Sequence, residues 1–247
     1  MTDSPYLSII IPAHNEEQRL PKTLEQVADF INQQTYPGEI VVVENGSSDR
    51  TLATAQEYAR RIPYLRVLSV EQRGKGLAVK TGMLAARGTY RFFADADLSM
   101  PISEVNRFIP PALPGSEVAI GSREAPGAVR YGEPQYRHLT GRVFNAIVRL
   151  LALPGLGDSQ CGFKCFRGDI ADEIFPLQTM TGWSFDVEVL FIARRRGYQI
   201  VEVGIPWYFN PGSKIRVMHD SLRMFLDLWN IRSNARAGRY NHSAHSG

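Results

Sequence analysis

The stretch at residues 90–97, which reads YRFFADAD, ends an apolar run with two carboxylates. Side chains alternate along a strand, so Asp95 and Asp97 are expected to leave the same face. Where a strand gives way to a loop, two such carboxylates can share a hard divalent cation, Mg²⁺ or Mn²⁺, and that cation binds a diphosphate. The alternative interpretation makes both of them turn residues ahead of a helix that starts near Pro101.

Short apolar strands alternate with amphipathic helices through the first half of the chain. We predict strands at residues 7–11, 40–43, 65–68 and 90–94, and helices at 20–31, from about Asp49 onward and at 75–86. This order predicts an α/β fold with a Rossmann-like, mainly parallel sheet and helices on both faces. Ligands on such sheets bind beyond the carboxyl ends of the strands, which is where Asp95 and Asp97 lie.

The second half of the sequence is less regular. It predicts strands at residues 118–120, 162–166 and 200–203 and a helix at 137–151. The chain shows neither an internal repeat nor a linker, so we predict a single domain over residues 1–234. The polar tail at residues 235–247 is predicted to be disordered.

The composition narrows the class of protein. The 247 residues, 44% of them hydrophobic, fit one large globular domain, and a net charge of +3 is too small to argue for nucleic acid as a partner. Cys161 and Cys165 have no second pair, which favours core packing over a disulfide framework or a zinc site. We find no signal-peptide pattern and no apolar run near the ~18 residues that span a bilayer. We therefore expect a cytoplasmic protein, soluble or peripheral on the membrane face.

Polar side chains follow the first two predicted strands. Residues 12–17, PAHNEE, contain no glycine, which argues against the Gly-x-Gly-x-x-Gly turn of a nicotinamide or flavin site. The second strand ends in Glu44 and Asn45, which stand where a base or a ribose could be read. Ser48 and Asp49 come next, and capping of the following helix explains them as well as ligand binding does.

The third predicted helix is preceded by Gly74, Lys75 and Gly76. Two glycines let the backbone approach a ligand closely, and the start of a helix favours an anion. Lys75 would add a point charge for a phosphate, although a solvated turn is the alternative. A base-reading loop, a phosphate loop and an Asp-x-Asp, each at a strand end, together indicate a site for a nucleotide diphosphate.

These motifs resemble the family 2 glycosyltransferases, which have the GT-A fold. The resemblance rests on residues 8–16, 43–49 and 95–97. Residues 121–123, 158–164 and 183–188 further resemble the dolichyl-phosphate glucose synthase group. The match runs from about Leu7 to Asn234. It implies an inverting hexosyltransferase that moves a sugar, glucose before others, from a nucleotide diphosphate, UDP before GDP, to a polyprenyl phosphate.

The resemblance also implies roles for individual residues. Asp97 would hold the metal and Gln160 would lie near the donor sugar or diphosphate, and both are candidate catalytic residues. The nucleotide would be bound by Pro12, His14, Glu16, Glu44, Asn45, Lys75, Asp95 and Ala96. The acceptor phosphate would contact Arg123, Arg137, Ser213 and Lys214. One departure concerns the base, because the family usually has two aspartates where this chain has Glu44 and Asn45.

The nature of the acceptor decides whether a general base is needed. A phosphate has a second pKa of about 6, so much of it is a dianion at neutral pH and can attack unaided. A sugar hydroxyl would need a base, for which Asp186 is the third catalytic candidate. The alternative role of Asp186 is a negative charge at the start of a helix.

The last apolar segment contains Trp229 among arginines. Such a basic amphipathic helix fits the surface of a membrane, and it fits equally well a final helix packed on the core. Two other functions stay open. One is a related transferase with a soluble glycan or small-molecule acceptor, and the other is a nucleotide-sugar binding module without turnover.

Overall fold

The structure, a computed structural model, describes residues 4–210 and 217–241, without the side chains at 136, 137, 139, 140, 143, 144 and 217–225. The strands are β1 Leu7–Ala13, β2 Gly38–Asn45, β3 Leu65–Val70, β4 Tyr90–Ala94, β5 Val118–Ser122, β6 Val129–Tyr131, β7 Phe163–Arg167, β8 Ile200–Gly204 and β9 Pro206–Tyr208. The helices are α1 Leu20–Asn32, α2 Thr51–Arg61, α3 Lys75–Ala85, α4 Gln135–Leu151, α5 Gly168–Ile174, α6 Phe185–Arg195 and α7 Val217–Arg236.

Seven strands form one mixed sheet in the order β3-β2-β1-β4-β7-β5-β8. The predicted parallel arrangement is confirmed for β1 to β4, and β5 and β8 are also parallel to each other. Strand β7 is antiparallel to both β4 and β5. The alternation of strands and helices that marks parallel pairing stops after β4, so the sequence pattern did not specify this strand's direction.

The sheet is buried on both faces, which explains why β1 and β2 are almost continuously apolar. Because side chains alternate along a strand, Ile10 joins one hydrophobic cluster while Ile9 and Ile11 join the other. Helices α3, α5 and α6 cover the first face, and α1 and α2 cover the second. Cys161 and Cys165 are free, buried and part of the second cluster, as the sequence indicated.

The topology collects the polar loops at one edge of the sheet. Strands β1, β2 and β4 end there, and the antiparallel β7 starts there, since Phe163 pairs with Ala94. The 160–162 segment therefore lies beside the 95–97 loop, although more than sixty positions of sequence separate them. This is the edge at which the sequence predicted a ligand.

Two features differ from the prediction. The short strands β6 and β9 form a separate two-stranded ribbon that the sequence pattern did not indicate. The tail predicted to be disordered from Ala235 is packed as far as Asn241: Ala235 and Tyr240 are buried, and the Tyr240 hydroxyl donates to Glu188 Oε1 over 2.7 Å. The ring of Tyr240 is buried in the core, which the mostly polar composition of this segment did not indicate. Residues 242–247 lie outside the described residues.

Candidate active site

Lys75 opens helix α3 and points at the Asp-x-Asp loop. Its Nζ lies 2.6 Å from Asp95 Oδ1 and sits over the ring of Trp183, 5.1 Å from the centroid. The glycines on either side are required by packing, because a Cβ at Gly74 would lie 2.5 Å from Thr181 O, and one at Gly76 would lie 2.6 Å from Phe185 Cβ. The predicted phosphate loop is thus a tight turn with a charged tip.

Asp97 shares its loop with Asp95, and both side chains are half-buried around the buried Ala96. One Asp97 oxygen accepts a hydrogen bond from Ser99 N over 3.1 Å. Burial and the charge of Asp95 raise the pKa of the Asp97 carboxyl. A carboxylate whose ionised form is disfavoured in this way is stabilised by a cation.

No group of three or more His, Cys, Asp or Glu side chains within the described ranges could hold a metal ion by itself. The half-buried Asp97, whose ionised form is disfavoured beside Asp95, fits a cation that it would share with the diphosphate of a bound nucleotide. That is the way magnesium is commonly held, by one or two carboxylates plus phosphate oxygens.

The base-side loops are braced against each other. His14 Nδ1 hydrogen-bonds Asn45 O over 2.9 Å, and Glu16 N donates to Thr51 Oγ1 over 2.7 Å. Pro12 is buried inside β1, where it pairs in register with Val43. Pro12, His14 and Glu16 lie at the end of β1, beside the end of β2, and their role at the nucleotide stays a prediction.

Glu44 and Asn45 are more enclosed than a base-reading pair was expected to be. Both are buried, and Glu44 Oε1 accepts from Ser47 N over 2.6 Å while Oε2 accepts from Ser69 Oγ over 2.7 Å. The Glu44 carboxylate thus holds the shape of the loop. Asp49 lies two residues before the start of α2, and its Oδ1 accepts from Thr51 N over 2.9 Å at the first residue of that helix.

Behind Lys75 lies a buried ion pair. Lys164, on β7, is fully buried, and its Nζ lies 2.5 Å from Asp186 Oδ1 and 2.5 Å from Cys161 O. Burial raises the pKa of Asp186, while the charges of Lys164 and Lys75 oppose that shift. Asp186 is thus enclosed and paired with Lys164, which is unfavourable for a base that has to reach a bound acceptor.

Arg123 is held by a carboxylate on the neighbouring loop. Its Nε and Nη2 lie 2.6 and 2.9 Å from the two Asp158 oxygens, and its backbone N donates to Oδ2 over 3.1 Å. The guanidinium also lies over Trp207, 5.4 Å from the ring centroid. Gln160 N donates to the same Asp158 over 3.2 Å, and the buried Gln160 Nε2 has no hydrogen-bond partner within the structure as described. Because a buried amide nitrogen is normally hydrogen-bonded, the side chain of Gln160 could donate to a polar ligand.

Three residues assigned to the acceptor phosphate cannot be placed. Ser213 and Lys214 lie outside the described residues, as does the side chain of Arg137 on α4. The sequence interpretation also missed three residues of the site, namely Asp158, Lys164 and Trp183. A charged residue inside the apolar run of β7 was the signal for Lys164.

The fold and these loops are those of a GT-A glycosyltransferase. Residues 8–175 match the model of the family "Glycosyl transferase family 2". The chain is also similar to curated proteins named dolichyl-phosphate beta-glucosyltransferase. The one from Dictyostelium discoideum is 34% identical, covering 93% of this chain and 75% of the relative. The one from Drosophila melanogaster is 35% identical, covering 94% and 76%. The chain belongs to glycosyl transferase family 2.

Solved structures support the same fold. The structure of glucosyl-3-phosphoglycerate synthase from Mycobacterium tuberculosis in complex with UDP superposes with a TM-score of 0.67 at 20% identity, covering 93% of this chain and 80% of that one. A complex of the same synthase with Mn²⁺, UDP and glucosyl-3-phosphoglycerate gives a TM-score of 0.63 at 21% identity, covering 91% and 80%.

Proposed function

We propose that this protein transfers glucose, with inversion, from UDP-glucose to a polyprenyl phosphate of the dolichyl type. The observation that carries the proposal is the pairing of Lys75 with Asp95 beside Asp97, at the edge where β1, β2 and β4 end. The diphosphate of a sugar nucleotide is negatively charged, and Lys75 offers it a positive charge. The two carboxylates offer ligands for a divalent cation that also binds the diphosphate. The relatives' shared name supports the sugar and the acceptor.

The donor would lie across the three loops. The base and ribose would occupy the edge near His14, Glu16 and Asn45, and the diphosphate would meet Lys75. The cofactor we propose is Mg²⁺ or Mn²⁺ held by Asp97, and its contribution is to offset the negative charge of the departing UDP. The Mn²⁺ in the solved synthase complex supports this choice. Gln160, whose amide nitrogen is buried and unsatisfied, would hold the donor sugar or diphosphate.

The acceptor phosphate would lie near Arg123, together with Arg137, Ser213 and Lys214. Asp158 occupies the Nε and Nη2 edge of the Arg123 guanidinium and so fixes the direction in which its remaining N–H groups point. The phosphate dianion attacks the anomeric carbon from the side opposite UDP, which inverts that centre, and it needs no base. The enzyme's task is orientation.

A lipid acceptor requires access to a membrane surface. No helix within the described ranges is long and apolar enough to cross a membrane. Helices α4 and α7 contact each other, and they expose Leu150, Leu226 and Trp229 near Arg149 and Arg232. Exposed apolar side chains among arginines fit a peripheral helix surface on an anionic bilayer.

The test is an assay of the purified chain with Mn²⁺ and labelled UDP-glucose, UDP-N-acetylglucosamine or GDP-mannose. Each donor is combined with a polyprenyl phosphate, a soluble glycan or 3-phosphoglycerate. We expect chloroform-extractable label with UDP-glucose and polyprenyl phosphate alone. Label transferred only to a water-soluble acceptor would replace the proposal with the soluble-acceptor alternative.

A further inference from the structure

Residues 178–184, which lead into α6, pack against the phosphate loop, and we call them the backing segment. Leu77 N, near the start of α3, donates to Thr181 O over 3.2 Å. Toward the end of the segment, the Trp183 ring centroid lies 5.1 Å from Lys75 Nζ. The backing segment thus contacts the side chain of Lys75 and the backbone that follows it.

The side chain of Gln178 joins the backing segment to the phosphate loop. Gln178 is buried, and its Nε2 donates to Gly76 O over 2.8 Å and to Met180 O over 2.7 Å. One amide therefore bridges the residue after Lys75 and the middle of the backing segment. This bridge limits how far the phosphate loop can move relative to that segment.

Glu188, on α6, fixes the conformation of the backing segment. Its side chain is fully buried, and its Oε2 accepts from Thr179 N over 2.9 Å and from Met180 N over 2.7 Å. Its Oε1 accepts from Thr179 Oγ1 over 2.6 Å and from the Tyr240 hydroxyl over 2.7 Å. A buried carboxylate is costly unless donors surround it, and in return this one satisfies two backbone N–H groups of the backing segment.

We propose that Glu188 is a positioning residue for the donor, because it holds the backing segment that keeps Lys75 where the diphosphate of the sugar nucleotide binds. This inference rests on the proposed function and adds a fully buried residue that acts without touching the donor. Glu188 holds residues 179 and 180, and Gln178 and Thr181 hold the start of α3. A lysine side chain is a flexible stem with a point charge, so its direction depends on what surrounds it.

Glu39, on β2, is a buried carboxylate with a similar set of donors. It is 2% exposed, and its Oε1 accepts from Ser8 Oγ and from Arg87 N, each over 2.7 Å. It lies near the start of β2, whereas the candidate site lies beyond the end of that strand. Loss of either carboxylate should destabilise the fold, but only the loss of Glu188 should reach Lys75.

The test measures the affinity for UDP by calorimetry in the presence of Mn²⁺, well below the melting temperature of each variant. We expect Glu188→Ala to bind UDP about tenfold more weakly than the wild type, because Lys75 is displaced from the diphosphate. Glu39→Ala, the matched control, should bind UDP as the wild type does. The KM for polyprenyl phosphate should be unchanged in both variants.

Glu188→Gln should restore UDP binding. Its amide oxygen can accept from the two backbone N–H groups, and its NH₂ group can donate to the hydroxyls of Thr179 and Tyr240 once these rotate. The affinity of this variant for UDP should therefore stay near that of the wild type, although the negative charge is gone.

A double-mutant cycle with Lys75→Met separates positioning from a general loss of order. If Glu188 acts through Lys75, the Lys75→Met/Glu188→Ala variant should bind UDP within about twofold of Lys75→Met alone. Gln178→Met removes the bridge to Gly76 O and should weaken UDP binding with the same dependence on Lys75. It carries the test if Glu188→Ala does not fold.

Four results would overturn the inference. The first is wild-type UDP affinity in Glu188→Ala, or in Gln178→Met if the former does not fold. The second is a further loss of about tenfold in the double variant relative to Lys75→Met, since independent effects add. The third is an equal loss in Glu39→Ala, and the fourth is an equal loss in Glu188→Gln. A wild-type protein that does not bind UDP would instead reject the proposed function.

Discussion

Gly162 lies directly against the Asp95 carboxylate, and a methyl group at that position would stand 2.0 Å from Asp95 Oδ2. The two residues are also joined through the backbone, because Asp95 N donates to Gly162 O over 3.1 Å. Gly162, the residue just before β7, therefore packs against the Asp95 carboxylate, which also contacts Lys75. No side chain other than hydrogen fits at residue 162 unless Asp95 moves.

We predict that Gly162→Ala lowers kcat/KM for UDP-glucose at least about tenfold, since the displaced Asp95 loses its charge-assisted contact with Lys75, which is worth ~1.5–3 kcal/mol. Steady-state kinetics at fixed acceptor measure this. The matched control is Gly141→Ala on α4, where an added Cβ meets nothing within 4 Å. Wild-type kinetics in Gly162→Ala would show that the Asp95 position does not matter for turnover.

Lys75→Met should weaken UDP binding at least about tenfold, because the diphosphate loses its point charge and Asp95 loses its partner. Calorimetric titration with UDP in the presence of Mn²⁺ gives the affinity. Lys22→Met removes an exposed lysine from α1 and should bind UDP as the wild type does. Equal UDP affinity in Lys75→Met and in the wild type would remove Lys75 from the donor site.

Asp97→Ala should abolish transfer while leaving the melting temperature within a few degrees of the wild type. The carboxylate makes one backbone contact, to Ser99, and its burial and the neighbouring Asp95 already disfavour its charge. Its removal costs the fold little but takes away the metal ligand. Mn²⁺ titration with UDP present should show lost metal binding, whereas Asp29→Ala on the exposed face of α1 should not. Full turnover in chelator would contradict the metal assignment.

The strands β1 to β4 and the helices between them could be predicted because the signal for each lies within its own stretch of sequence. Strands appear as apolar runs, and helices as apolar residues at helical spacing. The phosphate loop and the Asp-x-Asp were visible for the same reason, since strand ends in a parallel sheet share an edge. The direction of β7, the β6–β9 ribbon and the packing of Tyr240 depend on partners far along the chain. Asp158 and Lys164 were missed because their partners, Arg123 and Asp186, lie 35 and 22 positions away.

The pair of Asp158 and Arg123 should give the protein a specific acid response. Burial raises the pKa of the Asp158 carboxyl, but the Arg123 charge and its hydrogen bonds outweigh burial and bring that pKa down to about 2, below the ordinary 3.8. A carboxylate with a depressed pKa in the folded state stabilises the fold above its unfolded pKa, and the stabilisation is lost as the pH falls through the folded pKa.

We therefore predict that the difference in unfolding free energy between the wild type and Asp158→Asn is constant above about pH 4 and shrinks by about 2 kcal/mol as the pH falls to 2. Urea denaturation at a series of pH values measures it. Asp29→Asn replaces an exposed carboxylate on α1 and serves as the control. A difference that does not change with pH would mean that Asp158 is not ionised in the folded protein.

Variants of the buried pair Lys164 and Asp186 test both the stability of the site and the nature of its acceptor. Removing one partner of a buried pair leaves the other charge uncompensated, so Asp186→Asn and Lys164→Met should each cost ~3–5 kcal/mol of unfolding free energy. The double variant should cost clearly less than the sum, which a double-mutant cycle in urea would show. Additive losses would mean that the two charges do not stabilise each other.

The same Asp186→Asn variant separates a phosphate acceptor from a hydroxyl. An ionised phosphate needs no base, so the folded fraction of Asp186→Asn should retain more turnover than Asp97→Ala with a polyprenyl phosphate, measured well below its melting temperature. Arg123→Ala should show the opposite pattern, with a KM for the acceptor raised at least about tenfold and an unchanged affinity for UDP. If Asp186→Asn is as inactive as Asp97→Ala while Arg123→Ala is normal, Asp186 accepts a proton from a hydroxyl, and the acceptor is a sugar or another alcohol.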